Sequence, residues 1–293
     1  MYLSLSLFQA VLWAIFTPLV FIGCITFFKT SKLSRDDPKE ILRRIKIIGV
    51  VTVLWPALLY SLFSSEVETA EGPSVWHWIG IGITIKNYAA ILSSSAVTLV
   101  LFIGPLYQMA FDEAESTTEF DLKALRAYVF APIYEEVIFR STLITALIAG
   151  GAGFYGAVML SSLIFGVSHL YHLVEAFECT GRMRQQKVMQ AAMQAAYTTV
   201  FGFYVGYIFV ATGSLYAVIL VHAFCNFMGL PDVGFMNEGH YGYAYKRSIS
   251  AAYIIGIVLF IVLLSLSLNP DLHQSWHYTL INQLSGNEIS KLN

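Results

Sequence analysis

Long apolar stretches separated by short polar joins set the pattern of the chain. A helix needs about 20 apolar residues to cross the hydrocarbon core of a bilayer. Eight stretches approach that length: 4–28, 45–63, 88–111, 128–149, 152–171, 192–212, 214–230 and 249–268. They predict an all-α, multi-pass integral membrane helical bundle of about eight transmembrane helices. Gly150-Gly151 and Thr212-Gly213 are joins short enough to predict tight hairpins between antiparallel neighbours. The first stretch, Leu3 to Phe28, is too long for a secretory h-region and no basic residue precedes it, so we read it as a retained span. No internal repeat or long linker divides the sequence, which predicts a single membrane-embedded domain over 1–293.

Composition supports this reading. Of the 293 residues, 57% are hydrophobic and only 12% charged, whereas a soluble domain carries about a quarter charged residues. A net charge of −2 provides no basic face, so no nucleic-acid partner is expected. Cys24, Cys179 and Cys225 are too few and too scattered for a disulfide framework or a zinc site.

Charge also orients the spans. Fourteen of the 17 basic residues fall in alternate loops: seven between Lys29 and Lys46, then Lys123 and Arg126, then Arg182, Arg184 and Lys187, then Lys246 and Arg247. Positive loops face the cytosol. The loop between spans 2 and 3 instead holds Glu66, Glu68 and Glu71, followed by Trp76 and Trp78 as expected interface anchors. Both termini and the tail 269–293 are therefore expected on the far side.

Ionisable groups inside a bilayer are costly and mark function. Span 4 holds Glu135, Glu136 and Arg140; span 5 ends at His169, with His172 a turn later; span 7 carries His222 and Asn226. The orientation brings all of them into the cytosolic half, with Glu135 roughly 10 Å deep at 1.5 Å per residue. Glu136–Arg140 and His222–Asn226 are i,i+4 pairs, each on one helix face. Glu135 is turned about 100° from Glu136, so the two carboxylates need not do one job. A glutamate that takes a proton from water, a histidine beside it, and a His/Asn pair that donates to an oxyanion make a hydrolytic set. Cys225, three residues after His222, reads as a small core residue. His77, His240, His273 and His277 fall in loops or the tail and carry no signal.

These residues resemble the CAAX prenyl protease 2 family, the Ras-converting endopeptidases, of eukaryotic type. Glu135-Glu136-Val-Ile-Phe-Arg140 looks like the family's E-E-x-x-x-R, Phe165-Gly-Val-Ser-His169 like its F-x-x-x-H, and His222-Ala-Phe-Cys-Asn226 like its H-x-x-x-N. The close resemblance covers about 128–232, which it marks as the catalytic core. It implies a cofactor-free endopeptidase of the endoplasmic reticulum membrane, active site toward the cytosol. Such an enzyme removes the C-terminal tripeptide from prenylated CaaX proteins, small-GTPase-like substrates presented at the lipid bilayer. By motif position, Glu135 and His169 would activate water, His222 and Asn226 would hold the oxyanion, and Glu136 and Arg140 would support the site; His172, outside the motifs, is read as an interfacial or supporting residue. Two other readings use the same residues. In one, Glu135, His169 and His222 are ligands of a divalent metal in a membrane protease. In the other, the buried polar groups belong to a transporter.

Overall fold

All eight apolar stretches are helical in the computed structural model, which describes residues 2–27, 33–65, 74–82, 84–111, 120–177, 179–273 and 275–292. The helices are α1 (Leu7–Phe27), α2 (Pro38–Phe63), α3 (Val75–Ile79), α4 (Ile85–Leu101), α5 (Ile103–Met109), α6 (122–149), α7 (Phe154–Ser168), α8 (Leu173–Phe177), α9 (Gly181–Thr212), α10 (Leu215–Met228), α11 (Lys246–Ser267), α12 (Pro270–His273) and α13 (Trp276–Leu292). Extended structure among the described residues is one antiparallel pairing, β1 (Tyr2–Leu3) with β2 (Ser64–Ser65). Large apolar side chains stand exposed along α1, α2 and α11, Phe8, Val53, Leu62, Ile254 and Ile261 among them. Such a band is the surface that lipid covers.

Five helices among the described residues are long and apolar enough to cross a membrane, and α4 with α5 makes a sixth span bent by 61°. Pro105 explains the bend. It cannot donate to the Leu101 carbonyl four residues back, and its ring crowds that carbonyl. The broken turn packs on α11 because both sides are small: a Cβ on Gly104 would lie 2.7 Å from the Tyr253 Cα, and one on Gly256 2.9 Å from the Val100 carbonyl oxygen. The two remaining expected spans differ from simple membrane helices. In α6 the charges Glu135, Glu136 and Arg140 interrupt the apolar run. α10 has 14 residues, or about 21 Å at 1.5 Å per residue, less than a full crossing.

The loops sort into two ends. At one, Ser4 N–H donates to the Phe63 carbonyl, Leu215 N–H to that of Gly80, and the Ser141 hydroxyl to that of Ile79. At the other, Arg126 meets Asp36 while Glu40 holds Arg43 and Arg44. The basic residues at 35–44, Lys123 and Arg126 thus share one end, as the charge pattern predicts. Gly213 closes the α9–α10 hairpin at φ +66°, and a Cβ there would sit 3.0 Å from that of Ser275. Glu66, Glu68 and Glu71 lie outside the described residues.

The tail carries structure for which its sequence gives no signal. It forms α13, which docks under the hairpins through His277. That ring is wholly buried, 3.0 Å from the Thr145 hydroxyl and edge-on to Trp78. His273 is buried too, with Nε2 3.0 Å from the Ser267 carbonyl oxygen. Trp78 is 2% exposed, so it is a core residue, not an interface anchor, whereas Trp76 is 58% exposed. Burial pushes the His277 imidazole down to about 4. Its proton uptake in the unfolded chain near pH 6.5 therefore opposes folding increasingly as pH falls from 6.5 towards 4. Lowering the pH from 7 to 5 should reduce the thermal midpoint of the detergent-solubilised protein more than that of a His277→Gln variant. Equal losses would show that this ring does not carry the acid sensitivity.

Candidate active site

The site begins in α6, where hydrogen bonding widens from i→i+4 to i→i+5 over Arg126–Phe130 and again over Val137–Ile144. Wide turns of this kind are frequent at functional sites. Between them lies a regular turn, Ala131–Glu136, that carries both glutamates. Tyr134 ties this turn to α2 by donating its hydroxyl to the Ile45 carbonyl, 3.1 Å away.

The two carboxylates have different surroundings. Glu136 has no exposed surface. One oxygen lies 2.6 Å from His222 Nδ1, and the other lies 3.1 Å from Arg140 Nε, close enough for an ion pair though off-line for a hydrogen bond. Arg140 is also fully buried, and its guanidinium lies over the Phe165 ring, 4.3 Å from the centroid. Glu135 is 18% exposed, and its nearer oxygen stands 3.8 Å from His222 Nε2. Glu136 thus has both oxygens occupied by cationic or N–H groups, while Glu135 keeps room for a further partner.

His169 sits at the end of α7, and its Nδ1 lies 2.8 Å from the Phe165 carbonyl. A carbonyl only accepts, so Nδ1 carries the hydrogen and Nε2 keeps its lone pair in the neutral ring. α7 is held tightly against α9: a Cβ on Gly166 would lie 2.7 Å from the Ala195 carbonyl oxygen, and one on Gly202 3.1 Å from the Ser162 Cα. Asn226 donates one amide hydrogen to the Ala127 carbonyl at 3.0 Å, leaving the other available.

Glu135, His169, His222 and Asn226 line one cavity of about 810 Å³, within the range of small-ligand sites. Its other walls include Phe21, Phe102, Phe139, Phe201 and Phe260. Glu136 and Arg140 are fully buried and do not line it. The side chain of His172 lies outside the described residues. Cys225 also lines the cavity, although the sequence reads it as core.

Sequence reasoning missed Phe165. Its carbonyl orients His169, and its ring lies beneath Arg140 and edge-on to His169 and His222, with centroids 4.8 and 6.4 Å away. The signal was present as the first position of F-x-x-x-H, an i,i+4 relation. Among the described residues, no group of three His, Cys, Asp or Glu side chains is placed to hold a metal ion.

Fold and site define a multi-pass helical membrane protein with a carboxylate–imidazole cluster facing an apolar cavity. The family model described as type II CAAX prenyl endopeptidase, Rce1-like, matches residues 118–228. The chain is 31% identical over 291 residues to the human CAAX prenyl protease 2, covering 93% of this chain and 85% of that protein. It is 30% identical to the rat CAAX prenyl protease 2 over 91% of this chain and 82% of that one. The probable CAAX prenyl protease 2 of Schizosaccharomyces pombe is 30% identical over 78% of this chain and 81% of its own. No solved structure matches the chain. The chain belongs to the CAAX prenyl protease 2 family and is a membrane endopeptidase.

Removing one member of a buried ion pair leaves an uncompensated charge. Arg140→Met should destabilise the detergent-solubilised protein by about 3–5 kcal/mol. Adding Glu136→Gln should recover part of that loss. Thermal unfolding of the singles and the double reads this coupling; strictly additive losses would uncouple the two residues.

Proposed function

We propose that this protein removes the C-terminal tripeptide from prenylated CaaX proteins by means of a glutamate-activated water. One observation carries the reading: Glu135, His169, His222 and Asn226, drawn from three helices, meet on one cavity with otherwise largely aromatic and aliphatic walls. A prenyl chain suits such walls, and the polar cluster suits the peptide bond beside it. The whole chain serves as one protease domain with its catalytic core at about 128–232.

The division of labour follows from the contacts. Glu135, part exposed, takes the proton of the attacking water, aided by the Nε2 lone pair of His169. Glu135 later returns that proton to the leaving amine. His222 directs Nδ1 at Glu136, which leaves Nε2, 3.8 Å from Glu135, as the ring atom that faces the oxyanion. Glu136 holds the ring in that orientation from the other side. The spare amide hydrogen of Asn226 is the second oxyanion donor.

Glu135→Ala and His169→Ala should each abolish cleavage of a prenylated CaaX peptide while the protein still inserts and purifies. Near-wild-type turnover by either would remove the water-activation assignment. Asn226→Ala should lower kcat with little change in KM, at a cost of roughly 3–4 kcal/mol for a lost oxyanion donor. Chelators should leave turnover unchanged; a loss restored by a divalent ion would install metal-activated water in place of this mechanism.

The protein is proposed to reside in the endoplasmic reticulum membrane with the basic end toward the cytosol, where prenylated termini arrive. A cysteine introduced at 183 in a cysteine-free variant should react with an impermeant thiol reagent in sealed microsomes, and one at 151 should not. The reverse pattern would overturn the orientation.

A further inference from the structure

The charged groups that line the cavity divide unevenly. Glu135 is the one carboxylate among its described lining residues, while Arg35, Arg44 and Arg126 all contribute. The arginines come from one end of the molecule. Arg126 Nη1 donates to the Arg35 carbonyl at 3.1 Å, which ties α6 to the segment before α2. Arg44 precedes Ile45, whose carbonyl takes the Tyr134 hydroxyl beside Glu135. Neighbouring carboxylates temper this charge without cancelling it. Glu40 accepts Arg44 Nε at 2.7 Å and also holds Arg43, but does not line the cavity. Asp36 lies 3.1 Å from Arg126 Nη2 and is half exposed, an ion pair open enough to solvent for another anion to displace it. Lys123 lies near Asp36 and adds positive charge.

We propose that Arg126, with Arg35 and Arg44, forms a clamp for the free C-terminal carboxylate of the substrate. The inference rests on the tripeptide-removal reading and adds how the enzyme measures three residues. An extended tripeptide spans about 10 Å. Arg126 and Glu135 are nine residues apart on one helix, about 13 Å along its axis at 1.5 Å per residue and less through the wide turns. The arginine side chain closes the difference. A scissile carbonyl at Glu135 therefore places the terminal carboxylate three residues on within reach of Arg126. The prenylated cysteine marks one side of the cut, and the carboxylate is the only group that marks the chain's end. Planar guanidinium groups bind a carboxylate with paired, charge-assisted hydrogen bonds.

The test compares one prenylated CaaX peptide as free acid and as C-terminal amide, using the whole chain in detergent and in vesicles with and without anionic lipid. Wild type should cleave the acid at least about tenfold more efficiently, by kcat/KM, a difference of about 1.4 kcal/mol. In Arg126→Gln the discrimination between acid and amide should fall toward unity. Arg35→Gln serves the same purpose if Arg126→Gln does not purify, and the wild-type comparison stands without either. Equal cleavage of acid and amide by wild type would overturn the clamp and leave the protease reading intact. Equal cleavage that rises with anionic lipid would assign the arginines to lipid headgroups. Cleavage of neither peptide would overturn the protease reading, and the clamp with it.

Discussion

Glu136 is a carboxylate with no exposed surface, held between Arg140 and His222. A charge in that position costs several kcal/mol unless its partners are also in place. Arg140 must then be buried as well, and the Phe165 ring beneath its guanidinium supplies a face it can rest on. Phe165 is in turn fixed by the close approach of α7 and α9, which depends on Gly166 and Gly202 lacking side chains. The same packing sets the position of His169 at the end of α7. One buried charge thus constrains three helices and, through them, the groups that face the cavity.

This arrangement separates two glutamates that are adjacent in sequence. Both oxygens of Glu136 are engaged, one by Arg140 and one by the ring of His222, which it holds in place. Glu135, one residue earlier and turned toward the cavity, has no such obligation. The 3.8 Å between Glu135 and His222 Nε2 is too long for a direct hydrogen bond, so Glu135 is not tied to that ring as Glu136 is. Sequence spacing alone already implies that the two carboxylates diverge. Which one is buried, and that His222 belongs to Glu136, follows only from tertiary packing.

Much of the fold was legible because a bilayer imposes a length and a composition on each span. The hairpins at Gly151 and Gly213 were legible for the same kind of reason: both adopt positive φ, where a residue without a Cβ is favoured. Features that depend on contacts distant in sequence were not. The widened turns flanking the glutamates leave no periodic signature, because the pattern of apolar residues there is interrupted by the charges themselves. His277 and Trp78 carry ordinary tail and loop surroundings in sequence, yet each buries against the other. Phe165 was visible as a motif position but not as a contact hub, since its partners Arg140 and His222 come from other helices.

The distribution of polar groups along the helices bears on what the site can do. Beyond Arg140, α6 continues through the buried apolar residues Leu143, Ile144, Leu147 and Ile148, which belong to the main core with Val205, Ile208 and Phe209 of α9. The hydroxyls interspersed there are turned to backbone carbonyls: Ser141 to Ile79, Thr142 to Val137 and Thr212 to Ile208. A transport path needs polar groups that continue to the opposite face, and α6 offers none that are unoccupied beyond the site. A hydrolase needs the reverse: water admitted from one side, a substrate chain accommodated in an apolar space, and a closed floor. The cavity meets that requirement. Its arginines lie at one end, its aromatic walls line the interior, and the buried Glu136–Arg140 pair stands behind Glu135 and His222.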